Sequence, residues 1–235
     1  MHVRGFNQLK MKARWSGTTW PRMLYKKFEW ENTQDFDTTA LNTSVAHGYR
    51  LTSILDPDQT TQPNPSVIDF STFISSTGPY RQYRVMGVKI KARFMNMAEG
   101  AMAQVQAVIQ RQGTDAEPVS TSGLSQEAFD NLSSLPGGSE PSLVGPITGG
   151  NNIKYRSWYI CPWLAMGVPK ADYMSNSTYA GDYITNPGTW PQFILAVLGV
   201  PTQVIVQVRL KMTFYVQLES PYQTVNHNAV MDPGA

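Results

Sequence analysis

Sixteen residues near the C-terminal end, Val204 to Glu219, limit the possible folds of this chain more than any other stretch. Every even position is apolar: Val204, Val206, Val208, Leu210, Met212, Phe214, Val216 and Leu218. The odd positions, Ile205, Gln207, Arg209, Lys211, Thr213, Tyr215, Gln217 and Glu219, are nearly all polar or amphipathic. Strand side chains alternate between faces, so this run predicts a strand with one buried and one wet face. It far exceeds the common strand length of about five or six residues, which implies a large sheet over a second layer. Burying each large apolar side chain contributes roughly 1.5–3 kcal/mol. The fold class is β.

Seven further segments read as strands. RMLYKKFEW opens a first strand over 22–33, with Leu24, Phe28 and Trp30 on one face and Lys26 as a lapse. HGYRLTSIL is a second, ended by Asp56-Pro57. In YRQYRVMGVKIKARFMNM (80–97), Met86, Val88, Ile90, Ala92 and Phe94 share one face and Lys89, Lys91 and Arg93 the other. AMAQVQAVIQRQ (101–112) alternates small apolar residues with Gln. PSLVGPI (141–147), NIKYRSWYICP (152–162) and PQFILAVLG (191–199) follow, then the terminal strand. VIDFSTFI (67–74) fits one helical turn or a short strand. SQEAFDNLSSL predicts a helix capped at Ser125 and halted by Pro136-Gly137.

The connections alternate in length: 34–44, 98–100, 148–151 and 200–202 are short, while 57–79, 113–140 and 163–191 are long. In an eight-stranded jelly roll, alternate connections emerge at opposite ends of the sandwich. The expectation is therefore an eight-stranded antiparallel jelly-roll sandwich over residues 22–219. Its CD, EF and GH connections are long, and the EF connection carries a short helix. Residues 1–21 form an arm and 220–235 a tail without periodicity.

The chain has 235 residues, of which 41% are hydrophobic and 15% charged. No apolar run approaches the ~20 residues that span a bilayer, so no membrane insertion is expected. The N-terminal stretch lacks the apolar segment of a signal peptide, and a lone Cys161 reads as a small core residue of a reduced protein. The net charge of +2 hides an asymmetry. Residues 1–30 hold Arg4, Lys10, Lys12, Arg14, Arg22, Lys26 and Lys27 against Glu29 alone, a net +6, which leaves −4 for the rest. A basic arm on a mildly acidic body suggests a polyanion on one side, and Phe6, Trp15 and Trp20 are placed to stack on bases. The ordinary alternative is a solvated tail. Lys89, Lys91 and Arg93 stand about 7 Å apart along their strand, a spacing suited either to phosphates or to an ordinary wet face.

Catalytic patterns are absent from the sequence. His2, His47 and His227 lack ligand spacing, and no nucleophile elbow, P-loop or dinucleotide fingerprint occurs. Asp35/Asp37 and Asp56/Asp58 fit turn formation, with a bound calcium as the lesser alternative. The sequons at Asn42, Asn131 and Asn176 carry little weight without a secretion signal. The reading is not an enzyme, and no cofactor or metal is implied. A lectin-like or cytokine-like jelly roll is the rival reading, with Tyr173, Tyr179, Tyr183 and Trp190 as sugar-stacking loop aromatics.

The loop alternation, the arm and three segments resemble the single-jelly-roll capsid proteins of small viruses. The likeness is to the circovirus-like group with circular, replication-protein-encoding single-stranded DNA genomes. YRQYRVMGVKIKARF (80–94) is similar to its Tyr-rich strand, KYRSWYICP (154–162) to its Tyr-x-Ser-x-Tyr-x-x-Pro strand, and VQVRLKMTFYVQLE (206–219) to its last strand. The resemblance implies a viral coat protein forming a T=1 shell of about sixty copies around a single-stranded DNA genome, with RNA as the other possibility. It implies a virion component assembled inside the host cell, the nucleus being one candidate compartment. Arg4, Lys10, Lys12 and Arg14, with the Lys89/Lys91/Arg93 face, are then expected to point inward, and the long loops outward to a host receptor. The arm departs from the family's dense arginine-rich stretch, which shifts weight toward contact with the inner surface.

Overall fold

A computed structural model describes residues 22–38, 43–58, 70–113, 122–135 and 137–221. Among them are nine strands: β1 (Met23–Asp37), β2 (Thr43–Arg50), β3 (Tyr80–Asn96), β4 (Met102–Gly113), β5 (Ser122–Ser125), β6 (Ser142–Val144), β7 (Ile153–Ile160), β8 (Trp190–Val200) and β9 (Ile205–Pro221). Four short helices lie in the long connections: α1 (Phe70–Phe73), α2 (Gln126–Asn131), α3 (Pro162–Met166) and α4 (Lys170–Ser175).

All strand pairings within the two sheets are antiparallel. One sheet, here sheet A, runs β1-β9-β3-β7, and the other, sheet B, runs β5-β2-β8-β4-β6. With the eight main strands lettered B to I along the chain and β5 set aside, the orders are B-I-D-G and C-H-E-F. That is the jelly roll. The ninth strand, β5, adds to the β2 edge just before α2 and is not expected from the sequence.

The alternation of β9 sets the faces. Val206, Val208, Leu210, Met212, Phe214, Val216 and Leu218 are all buried between the sheets. They pack with Phe28, Trp30 and Phe36 of β1 and with Val88, Ile90, Ala92 and Phe94 of β3. Opposite stand Tyr49, Ala103, Val105, Ala107, Phe193, Leu195 and Val197. Aromatic pairs bridge the layers, Trp30 to Tyr49 at 6.0 Å and Trp158 to Phe193 at 5.0 Å. At one end Phe28 meets Phe70 and Phe73 of α1 edge-on, so α1 seals the core there.

The sequence and the structure differ in several places. β1 continues to Asp37, past the expected end at 33, because β9 offers it a partner at every residue down to Ile205. β2 starts at Thr43 and stops at Arg50; Leu51 and Ile54 reach the core from bends rather than from a strand. In β3 the pairing register shifts between Val85 and Gly87. This bulge swaps the parity of the strand, so Tyr83 and Val85 face inward before it and Val88 after it. Met86, expected in the core, sits at the bulge and is only half-buried. Cys161 follows β7 as the residue preceding α3 and is half-exposed, not part of a strand or the core.

The middle of sheet B is buried on both faces. Phe129 and Leu132 from the EF connection pack on its outer side against Ala46, Val108, Ile194, Ala196 and Leu198. β8 accordingly reads PQFILAVLG, a continuous apolar run, rather than alternating. Gly137, at φ +84, lies so close to β4 that a Cβ would stand 2.9 Å from the Ile109 carbonyl oxygen, which lets the connection return along that strand.

The two ends of the sandwich differ. At one, short connections are tied by Thr38 N–H to Val204 O (3.1 Å), Met97 N–H to Ile205 O (2.9 Å) and Ile147 N–H to Ala98 O (2.8 Å). At the other, the long CD and GH connections are pinned by Tyr83 N–H to Gly181 O (2.9 Å) and Leu51 N–H to Pro191 O (3.0 Å).

Phe214→Asp is expected to unfold the domain, because an unpaired carboxylate in the core costs several kcal/mol against a total stability of about 5–15. Lys211→Gln, on the wet face of the same strand, is expected to shift a denaturation midpoint only slightly. Cooperative, native-like denaturation of Phe214→Asp would show the face assignment to be wrong.

Candidate nucleic-acid interface

The outer face of sheet A combines exposed cations with exposed aromatic rings. The pairing registers place its side chains in rows across β1, β9, β3 and β7. One row is Glu29, Thr213, Lys89 and Tyr159. The next is Glu31, Lys211, Lys91 and Ser157, and the third is Thr33, Arg209, Arg93 and Tyr155. Carboxylates thus collect on β1, cations on β9 and β3, and tyrosines on the edge strand β7.

The cations of the two strands differ in their partners. Lys211 Nζ lies 2.8 Å from Glu29 Oε2, Lys27 also pairs with Glu29, and Arg209 pairs with Glu31. Lys89 and Lys91 are exposed and have no carboxylate partner among the described residues. Arg93 is half-buried, its Nε is unbonded, and its Nη2 reaches only Met95 Sδ at 3.7 Å. Register also sets Lys91 directly beside Lys211 and Arg93 beside Arg209. Like charges directly opposite one another on neighbouring strands destabilise a sheet. The arrangement is unfavourable for the isolated fold and favourable for binding an anion.

Glu29 tempers this. Hydrogen bonds from Lys211 and then Lys27 hold its carboxyl down at about 2, against an ordinary 4.5. A depressed carboxyl contributes stability that is complete above its unfolded value and is lost as pH falls through the folded one. The β1–β9 ion pair is therefore expected to persist unchanged from pH 7 to about 4.5 and to fail only toward pH 2, a course that carboxyl NMR of Glu29 checks.

The other sequence candidates scatter. Arg4, Lys10, Lys12 and Arg14, with Phe6, Trp15 and Trp20, lie outside the described residues. Arg22 is exposed at the start of β1. Lys27 is on the cationic face, tied to Glu29. Lys26 points to the opposite side, its Nζ 4.5 Å above the Phe73 ring, and does not join the face. The lapse in alternation at Lys26 is thus a cation–π cover on the core's end.

A buried polar cluster escapes the sequence reading. Asp58 is nearly inaccessible, its Oδ1 2.7 Å from His47 Nε2 and its Oδ2 accepting from Asn32 Nδ2 at 3.1 Å. Gln34 Nε2 lies 3.1 Å from His47 Nδ1. Burial, with the Asp58 charge second, pushes the Tyr49 hydroxyl well above its usual range. Asp58 is therefore an anchor tying the CD connection to both sheets, not a solvated turn carboxylate. Asp56 turns away to Arg50 Nη1 at 2.5 Å. Among the described residues no three His, Cys, Asp or Glu side chains gather as a metal-ligand set. No helix among them is long and apolar enough to cross a membrane.

The rival sugar platform does not assemble. Tyr173 is fully buried, its hydroxyl donating to Val85 O at 2.7 Å and its ring stacked on Tyr179 at 5.2 Å. Trp190 lies in β8 with the Arg50 guanidinium 5.0 Å over its ring, so its face is already covered. Tyr173 instead helps to hold buried Arg84, whose guanidinium donates to Tyr173 O, to Asn176 O at 2.9 Å and to Glu219 Oε1 at 3.3 Å. This latch folds the GH connection over one end of sheet A and leaves the middle of that face bare.

No family model matches the chain, and no curated protein matches it by sequence. Solved structures overlap it in architecture. The BFDV capsid protein in a decameric form is 15% identical, with 85% of this chain and 100% of that one covered at a TM-score of 0.48. The same protein as a 60-mer is 14% identical, with 85% and 94% covered at 0.46. Turnip yellow mosaic virus is 13% identical, with 91% and 89% covered at 0.40. These similar structures are viral capsids; the jelly roll itself is established by strand order and pairing in this chain.

Lys91→Gln tests the like-charge row. Removing the repulsion from Lys211 is expected to raise the melting temperature by about 1–2 °C at low ionic strength, and the gain is expected to vanish at high salt. A lower melting temperature in both conditions would contradict the row as described.

Proposed function

We propose that the chain is a viral coat protein that self-assembles into a small icosahedral shell and encloses a single-stranded DNA genome. The observation that carries the reading is the unequal treatment of the two sheets. Sheet B is covered outside by the EF connection, while sheet A leaves a cationic middle bare. In this reading sheet A faces the interior, the basic residues 1–21 act on the same side, and the expected tail is the chain beyond β9, which runs to Pro221 rather than ending at 219. The long CD and EF connections, and the part of GH beyond its latch on sheet A, face outward, available to a host receptor.

The tight-loop end supports the assembly half. Met97, Met102, Ile147, Ile153 and Ile205 stand exposed there, near the starts or ends of β3, β4, β7 and β9. Apolar side chains grouped at one end of the sandwich mark a contact surface, and repetition around symmetry axes closes such contacts without leaving open edges. The chain expressed alone is expected to form closed particles of about sixty copies, seen by negative-stain microscopy. Met97→Glu with Ile147→Glu is expected to leave a folded monomer. A wild-type chain that stays monomeric at high concentration across pH and salt would overturn the assembly reading.

The genome half is electrostatic. Each phosphate neutralised on a single strand contributes about −0.7 to the logarithmic salt slope, so an arm engaging four to six phosphates gives roughly −3 to −4. Replacing Arg4, Lys10, Lys12 and Arg14 by Gln is expected to remove most of that slope while shells still form. Replacing Lys89, Lys91 and Arg93 is expected to remove less. Particles that enclose as much nucleic acid after the arm is neutralised would place the contact elsewhere.

A further inference from the structure

We propose that Tyr155, Tyr159 and Tyr215 form a base-stacking platform beside the Lys89/Lys91/Arg93 row, so that this face takes unpaired nucleic acid with its bases laid against the protein. The inference rests on the nucleic-acid reading above and adds the feature that distinguishes an unpaired strand from a duplex.

The platform depends on a missing side chain. Gly87 lies on β3 between the bulge and Val88, facing outward opposite Tyr215. A Cβ at Gly87 would stand 2.6 Å from the Tyr159 hydroxyl oxygen, so the ring lies across the glycine where any larger residue would lift it. Tyr159 and Tyr215 then meet with centroids 6.0 Å apart at an angle of 58°. Tyr155 stands four residues before Tyr159 on the same edge strand and face. Despite these contacts Tyr159 is 61% exposed and Tyr215 38%, and Tyr155 beside them on the same face is 69% exposed. Tyr159 and Tyr215 are braced from below and open above.

Charge fixes the occupant. In register, Tyr159 neighbours Lys89 and Tyr155 neighbours Arg93. A strand crossing this face therefore meets cations in one line and rings in the next. Phosphates satisfy the cations and relieve the Lys91–Lys211 and Arg93–Arg209 repulsions, while every base has a π-face to offer a tyrosine. A duplex keeps its bases stacked inside and presents only phosphates, so it gains the first contact and not the second.

The test compares three fluorescent probes of equal length by anisotropy at fixed salt, on the full chain held below the concentration at which shells close: oligothymidylate, an abasic oligodeoxyribonucleotide and a duplex. The expected result is that the wild type prefers oligothymidylate over both others. Tyr159→Ala and Tyr215→Ala are each expected to reduce that preference about tenfold, with abasic affinity unchanged. Tyr159→Phe is expected to retain it. Gly87→Ala, which displaces Tyr159 without deleting it, is expected to reduce it. Lys89→Gln with Lys91→Gln is expected to weaken all three probes alike. If the tyrosine variants leave the preference intact, the platform is overturned while the nucleic-acid reading stands. The platform is equally overturned if they abolish particle formation with the preference intact, since the rings then serve contact between copies. If the wild type binds none of the three probes, the nucleic-acid reading itself falls.

Discussion

β9 is hydrogen-bonded along nearly its whole length on both sides, to β1 from Met23 through Asp37 and to β3 from Tyr80 through Asn96. A strand so held has no freedom to slip. A shift of one residue would turn Val206 to Leu218 outward and bring Arg209 and Lys211 into the core. Because β1 and β3 take their register from β9, its alternation also decides which of their side chains are dry. Phe28, Trp30, Val88 and Phe94 go inward with Phe214, while Lys27, Lys89 and Lys91 go outward with Lys211. The apolar core and the cationic face are two consequences of one pairing.

What the connections cover then gives the outer faces different characters. The EF connection buries Phe129 and Leu132 against the middle of sheet B, so the centre of that face is dry and apolar. The GH connection is clamped over one end of sheet A through buried Arg84, which bonds two backbone carbonyls and Glu219. Truncating one partner of such a buried charge is strongly destabilising, so the latch holds the margin of the bare area in place. Inside that margin, Lys91 beside Lys211 and Arg93 beside Arg209 break a local rule of sheet stability. Local rules are most often broken at functional positions, which favours reading the face as a polyanion surface over an ordinary wet one.

Much of the architecture is legible in the sequence because period-two alternation directly records which face is buried. It places β3, β4 and β9, and the alternating connection lengths point to the jelly roll before any pairing is known. Lys89, Lys91 and Arg93 are legible as one face for the same reason. Alternation carries no record of a bulge, so Met86 reads inward although the register slips beside it. Nor does it record a short added strand such as β5, which has no pattern of its own. Asp58 looks like a turn residue because the partners that bury it, His47 and Asn32, are brought near only by folding. The tyrosine pair is hidden likewise: Gly87, Tyr159 and Tyr215 come from three strands and meet only through cross-strand register.

The central claim is that the outer face of sheet A lies against the enclosed nucleic acid. Ultraviolet cross-linking of purified particles, followed by mass spectrometry of the nucleotide-bearing peptides, tests it directly. The expected adducts fall in β3, β7 and β9, on the peptides that carry Lys89, Tyr159 and Tyr215. Adducts confined to the CD, EF and GH connections, with none on those three strands, would contradict it.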